Sequence, residues 1–190
     1  MKKIYTPYSS LDYNNTGKGV VPIWSVNAFR GKVSLDPTKV AEYLLTYENK
    51  RTCLEPEDVK YQDFSLPVDK PDNPILAKLL EDIVGKISTN LGKAVHVLGG
   101  WTIIHHKEHQ TYPHAHNTGP GDLACVYWAQ VPEGSGQLNF YPLGLPGPSI
   151  PVKPVAGEFM IFPGNLLHGV RQNTSDEPRI SMSLNLEFQL

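Results

Sequence analysis

Five of the chain's seven histidines fall between positions 105 and 116, namely His105, His106, His109, His114 and His116. His114-Ala115-His116 has i, i+2 spacing, so in an extended segment both imidazoles project from one face and can share one metal ion. Two ligands do not close a site. His168 is the natural third, because it follows Phe162-Pro163-Gly164-Asn165-Leu166-Leu167, which reads as a turn leaving a buried strand. Three neutral imidazoles leave coordination positions open for a substrate, oxygen or water.

Arg179 lies eleven residues after His168, across a turn of Asn173 to Pro178, with Ser181 beside it on the same face of the next strand. A guanidinium and a hydroxyl so placed make a carboxylate clamp, since the planar arginine fork donates two parallel hydrogen bonds and keeps its charge when desolvated. The alternative role for Arg179 is an ordinary ion pair with Glu177 or Glu187. His105 and His106 point to opposite sides of their strand, which allows one of them to face a cavity. His109 suits a solvated turn with Lys107, Glu108 and Gln110. His106-Lys107-Glu108-His109 has the wrong spacing for a helical zinc motif, which needs two histidines one turn apart.

The elements that must position these groups divide the chain into a helical front and a strand-rich back. Asp36-Pro37 starts a first helix, with a capping carboxylate and a proline at the first helical position, and Val40, Leu44, Leu45 and Tyr47 form its apolar side. Asn73-Pro74 repeats the signal. Ile75, Leu76, Leu79, Leu80, Ile83, Val84 and Ile87 then recur at helical spacing until Gly92 supplies a left-handed stop. Ahead of both helices, Val20 to Val26 reads as a strand after a polar arm.

From Ala94 onward, short β-rich runs are punctuated by Gly and Pro: 94–98, 101–106, 123–131, 136–140, 150–154, 157–162, 168–172 and 179–188. Strands at this spacing predict a sandwich or barrel. In the last run, Arg179, Ser181, Ser183, Asn185 and Glu187 share one face, and Ile180, Met182, Leu184, Leu186 and Phe188 the other. The apolar face is expected under the two helices and the polar face along a wet cavity. Trp101 and Trp128 are expected in the core. The Gly- and Pro-rich stretch from Tyr141 to Pro151 joins two strands or forms a lid.

With 190 residues, 17 basic and 19 acidic side chains and a net charge of -2, the chain reads as one domain, with 1–93 as arm and helical support and 94–190 as the strand-rich core. A chain this long builds a core without disulfides or a structural metal. Cys53 and Cys125 suit a reducing cytoplasm, and the N-terminus lacks the plan of a secretory signal. Charged residues within 74–91 exclude a membrane span there. Balanced charge excludes a basic nucleic-acid footprint, and a homodimer is open.

In sequence the chain resembles the 2-oxoglutarate/Fe(II)-dependent oxygenases, which share a double-stranded β-helix or jelly roll. The resemblance runs over about residues 98–188 and is nearest to a phage and bacterial branch. It is carried by Trp101, His114-Ala115-His116, Ala124-Cys125-Val126-Tyr127, Phe162-Pro163, His168 and Arg179-Ile180-Ser181, ending in Leu184-Asn185. It implies a mainly β fold with the two N-terminal helices packed on one sheet. It also implies Fe(II) held by His114, His116 and His168, with 2-oxoglutarate on the metal and its far carboxylate on Arg179 and Ser181. O2 and a further, unidentified substrate complete the reaction. Tyr127, opposite Trp128, is a candidate to reach the co-substrate.

The wider superfamily usually has Asp or Glu where His116 stands, so its ligand set carries one more negative charge. His116 fills the place without special loop geometry; Asp122, brought back by 117–121, is the substitute. Two other classes of function remain open. One is a three-histidine zinc hydrolase or lyase with an open water position. The other is a non-catalytic jelly roll used for binding or assembly.

Overall fold

The computed structural model describes residues 26–48, 62–116, 122–141 and 149–189. The Val20 to Val26 strand expectation falls almost wholly outside them, as does most of the Tyr141 to Pro151 stretch. In chain order the elements are β1 (Phe29–Lys32), α1 (Pro37–Glu48), β2 (Gln62–Ser65), α2 (Pro74–Leu91), β3 (Val95–His105), β4 (Thr111–His114), β5 (Leu123–Gln130), β6 (Leu138–Phe140), β7 (Ile150–Val152), β8 (Glu158–Pro163), β9 (His168–Val170) and β10 (Arg179–Phe188).

Both helices start where the capping residues dictate. Asp36 accepts the Thr38 amide at 3.0 Å, and Asn73 accepts the Ile75 amide at 2.8 Å. Gly92 ends α2 at φ +66°, a left-handed conformation that glycine adopts without strain. Leu76, Leu79, Leu80, Ile83 and Ile87 of α2 and Val40, Ala41, Tyr43, Leu44 and Tyr47 of α1 are buried.

The strands form two antiparallel sheets: six strands in the order β1-β8-β5-β10-β3-β2, and four in the order β4-β9-β6-β7. This is the mainly β, double-stranded β-helix architecture, with the two helices on one face of the larger sheet. Ile180, Met182, Leu184 and Leu186 of β10 join the helix residues in one apolar core. A second core lies between the sheets and contains Ala124, Val126, Trp128, Leu138, Phe140, Val152, Met160 and Phe162. The alternation of β5 and β8 thus feeds both cores at once. Among the described residues, no helix is long and apolar enough to cross a membrane.

The runs 94–98 and 101–106 turn out to be one strand, β3, continuous through Gly99-Gly100. The pair is tolerated because β3 and β10 shift register between Asn185 and Leu186, and because a Cβ on Gly100 would lie 2.7 Å from both Leu184 and Val68. Three further strands have weak local signals. β1 and β2 are four-residue edge strands, while β4 contains Pro113, which argues against a strand when only local sequence is read.

Candidate metal centre

β4 and β9 pair so that His114 lies directly opposite His168. His116 continues the extended chain two residues on, and its amide donates to the Gly164 carbonyl at 2.9 Å. One ligand nitrogen from each of His114, His116 and His168 falls within 4.8 Å of the others, and the ring centroids are 4.5 to 5.5 Å apart. Each ring is held through its Nδ1. His114 donates to the Tyr112 carbonyl at 2.9 Å, His168 to the Leu166 carbonyl at 2.8 Å and His116 to Asn185 Oδ1 at 2.7 Å. Carbonyl acceptors require a proton on Nδ1, which leaves all three Nε2 lone pairs free.

Burial reinforces that state. It lowers the His168 pKa to about 4 and holds His116 below its ordinary value, so both rings are neutral donors at physiological pH. Asp122 is not part of this group. It is half-buried, and its backbone carbonyl accepts the Gly164 amide at 3.0 Å.

The histidines open into a cavity of about 370 Å³ between the sheets, lined also by Arg179, Ser181, Ser183 and Asn185 of β10. The cross-strand register aligns Arg179 with His105, Ser181 with Ile103 and Ser183 with Trp101, so β3 and β10 present one shared face. Arg179 is fully buried, and its Nε and Nη1 have no hydrogen-bond partner among the described residues. Desolvation lowers its pKa to about 10, which still leaves a cation at neutral pH. The ion pairs with Glu177 or Glu187 considered from sequence do not form. A buried guanidinium without a counter-ion is costly, so the cavity is built to receive an anion.

Two residues occupy other places than the sequence suggests. Tyr127 is fully buried in the core under the helices, away from the cavity face formed by Ala124 and Val126, so its reading as a co-substrate contact is corrected. Burial, with the nearby Asp36, pushes its hydroxyl up to about 12. Trp101, expected in the core, is half-buried and lines the cavity, its ring centroid 5.8 Å from that of His116. Trp128 does lie in the core between the sheets, with the Arg30 guanidinium 5.3 Å from its ring centroid.

Local sequence reading missed Thr111, which lines the cavity and shares a 2.8 Å hydrogen bond with buried His105. Burial, followed by the Arg179 charge, lowers the His105 pKa to about 3 and keeps that ring neutral. His106 turns the other way and pairs with Glu48 at 2.6 Å. Buried Asn173 anchors the turn before β10, donating to the His105 and Glu177 carbonyls at 2.8 and 2.9 Å and accepting the Ser175 amide at 2.9 Å. That bracing sets where Arg179 enters the sheet.

Residues 144–185, which include His168, Arg179 and Ser181, match the sequence model of a family described as "Putative 2OG-Fe(II) oxygenase". No curated protein matches the chain in sequence. Solved structures match its fold. The non-heme alpha ketoglutarate dependent epimerase SnoN from nogalamycin biosynthesis is 18% identical with a TM-score of 0.65, covering 84% of this chain and 76% of that one. HygX from Streptomyces hygroscopicus, solved with nickel and 2-oxoglutarate bound, is 11% identical with a TM-score of 0.60, covering 84% and 82%. An oxidoreductase of the 2OG-Fe(II) oxygenase family from Burkholderia pseudomallei is 15% identical with a TM-score of 0.57, covering 77% and 78%. Local sequence match and overall fold thus agree on one family that this chain resembles, the 2OG-Fe(II) oxygenases.

Proposed function

We propose that the protein is a non-haem Fe(II) and 2-oxoglutarate-dependent dioxygenase that hydroxylates, or otherwise oxidises, a second substrate. The observation that carries this reading is Arg179, buried and without a counter-ion among the described residues, in the same cavity as three free imidazole nitrogens. A metal dication and a dicarboxylate satisfy both features together. Zinc hydrolysis uses the imidazoles alone and leaves Arg179 without a role.

His114, His116 and His168 would hold the iron, while Arg179 and the Ser181 hydroxyl would clamp the far carboxylate of 2-oxoglutarate. When bound, the metal and its co-substrate would supply oxygen activation coupled to oxidative decarboxylation. The chain's own contribution is positioning and a dry wall: Val126, Leu138, Phe162 and Val170 line the cavity and limit water around the reacting groups. No protein acid or base is required. The whole chain acts as one catalytic domain in this reading.

The test is an anaerobic titration of metal-free protein with Fe(II) and then 2-oxoglutarate, following the visible charge-transfer band of a chelated 2-oxo acid. The band is expected in the wild type. His168→Ala should lose metal, whereas Arg179→Ala should keep metal and need far more 2-oxoglutarate. Metal binding with no band at saturating co-substrate would turn the assignment to zinc chemistry or a binding role.

A further inference from the structure

The three histidines are not held alike. His114 and His168 each donate Nδ1–H to the carbonyl two residues earlier, Tyr112 and Leu166, so their orientation is fixed within their own strand or turn. His116 lies past the end of β4 and has no such local acceptor among the described residues. Its Nδ1 is bound at 2.7 Å by the side chain of Asn185, which comes from β10, 69 residues further along the chain.

We infer that Asn185 is the positioning residue that makes His116 a metal ligand, by accepting its Nδ1–H and thereby holding the Nε2 lone pair toward the other two imidazoles. This rests on the three-histidine metal centre proposed above. The amide oxygen must face the ring. With the opposite orientation, the amide NH2 would donate to Nδ1, the ring proton would move to Nε2, and His116 would leave the ligand set. Trp101, tilted 49° to the His116 ring, packs beside the same imidazole and narrows its freedom to turn.

One face of β10 then serves both halves of the site. Arg179 and Ser181 approach the co-substrate end, and Asn185, four residues beyond Ser181 on the same alternation, reaches the metal end. An amide rather than a carboxylate keeps this support neutral, so His116 is oriented without adding negative charge to a ligand set that has none.

Cobalt(II) titration, read by its visible ligand-field bands and by competition with a chelator, tests this in two near-isosteric variants. Asn185→Asp can only accept and should bind cobalt(II) at least as tightly as the wild type. Asn185→Leu cannot accept and should bind roughly 10–100-fold more weakly. Circular dichroism melting establishes that each variant is folded, and Asn185→Ala replaces the leucine variant if that one does not fold. Wild-type affinity in the non-accepting variant overturns the inference, as does an equal loss in Asn185→Asp. Equal cobalt binding by the wild type and His168→Ala would instead overturn the metal centre itself.

Discussion

Replacing Arg179 by Met tests whether the buried guanidinium is there for a ligand or for the fold. Methionine nearly matches the stem in volume and removes the charge and all five donors. Nε and Nη1 are both buried and unpartnered among the described residues, and charged hydrogen bonds contribute about 1.5–3 kcal/mol each. Two such bonds to a carboxylate amount to about 3–6 kcal/mol, or roughly 10²- to 10⁴-fold in Kd. The same substitution relieves the free protein of a buried, uncompensated cation. Exchanges of buried ionic groups for apolar ones gain about 1–4 kcal/mol, and each kcal/mol raises the melting temperature by about 2–4 °C at this chain length.

Arg179→Met should therefore melt several degrees higher than the wild type without ligand, yet show little further rise with 2-oxoglutarate. Scanning calorimetry on the metal-free protein and anaerobic titration calorimetry of 2-oxoglutarate onto nickel-loaded protein read the two effects separately. A variant that melts lower and still binds 2-oxoglutarate within tenfold of the wild type would exclude a ligand-binding role for the guanidinium. Arg179 would then be structural.

Two further outcomes follow from the same geometry. A Cβ at Gly169 would lie 2.9 Å from the Thr111 carbonyl oxygen and 3.0 Å from the Pro113 nitrogen, both backbone. Gly169→Ala should therefore push β4 off β9, separate His114 from His168 and weaken metal binding at least about tenfold, at a stability cost of about 1–3 kcal/mol; unchanged metal affinity would contradict it. Stability should also fall in acid because of His105. Its folded pKa of about 3 lies below the unfolded value, so between about pH 6.5 and pH 3 only the unfolded chain takes up that proton. Each pH unit lost in that window removes up to about 1.4 kcal/mol, levelling off below the folded pKa. Urea unfolding of the metal-free protein from pH 7 to pH 4 should show a shallower slope in His105→Gln, and identical slopes would rule out this origin.

Composition, periodicity and short-range spacing were enough for much of this protein. Both helices begin at an Asx-Pro pair because capping and proline geometry are local effects. The alternation of β10 placed Arg179, Ser181 and Asn185 on one face because side-chain direction in a strand depends only on parity. His114 and His116 were paired by the same rule. Tertiary structure alone decided which strand faces which. The β4–β9 register sets His168 opposite His114, and the two-sheet arrangement sends Tyr127 into the helix-side core while Trp101 turns to the cavity. β1 and β2 form because the longer strands β8 and β3 offer them edges, and β4 because β9 does, which no local propensity records. Orientation of His116 depends on Asn185 across 69 residues, and such a contact follows from chain topology that a one-dimensional pattern does not contain.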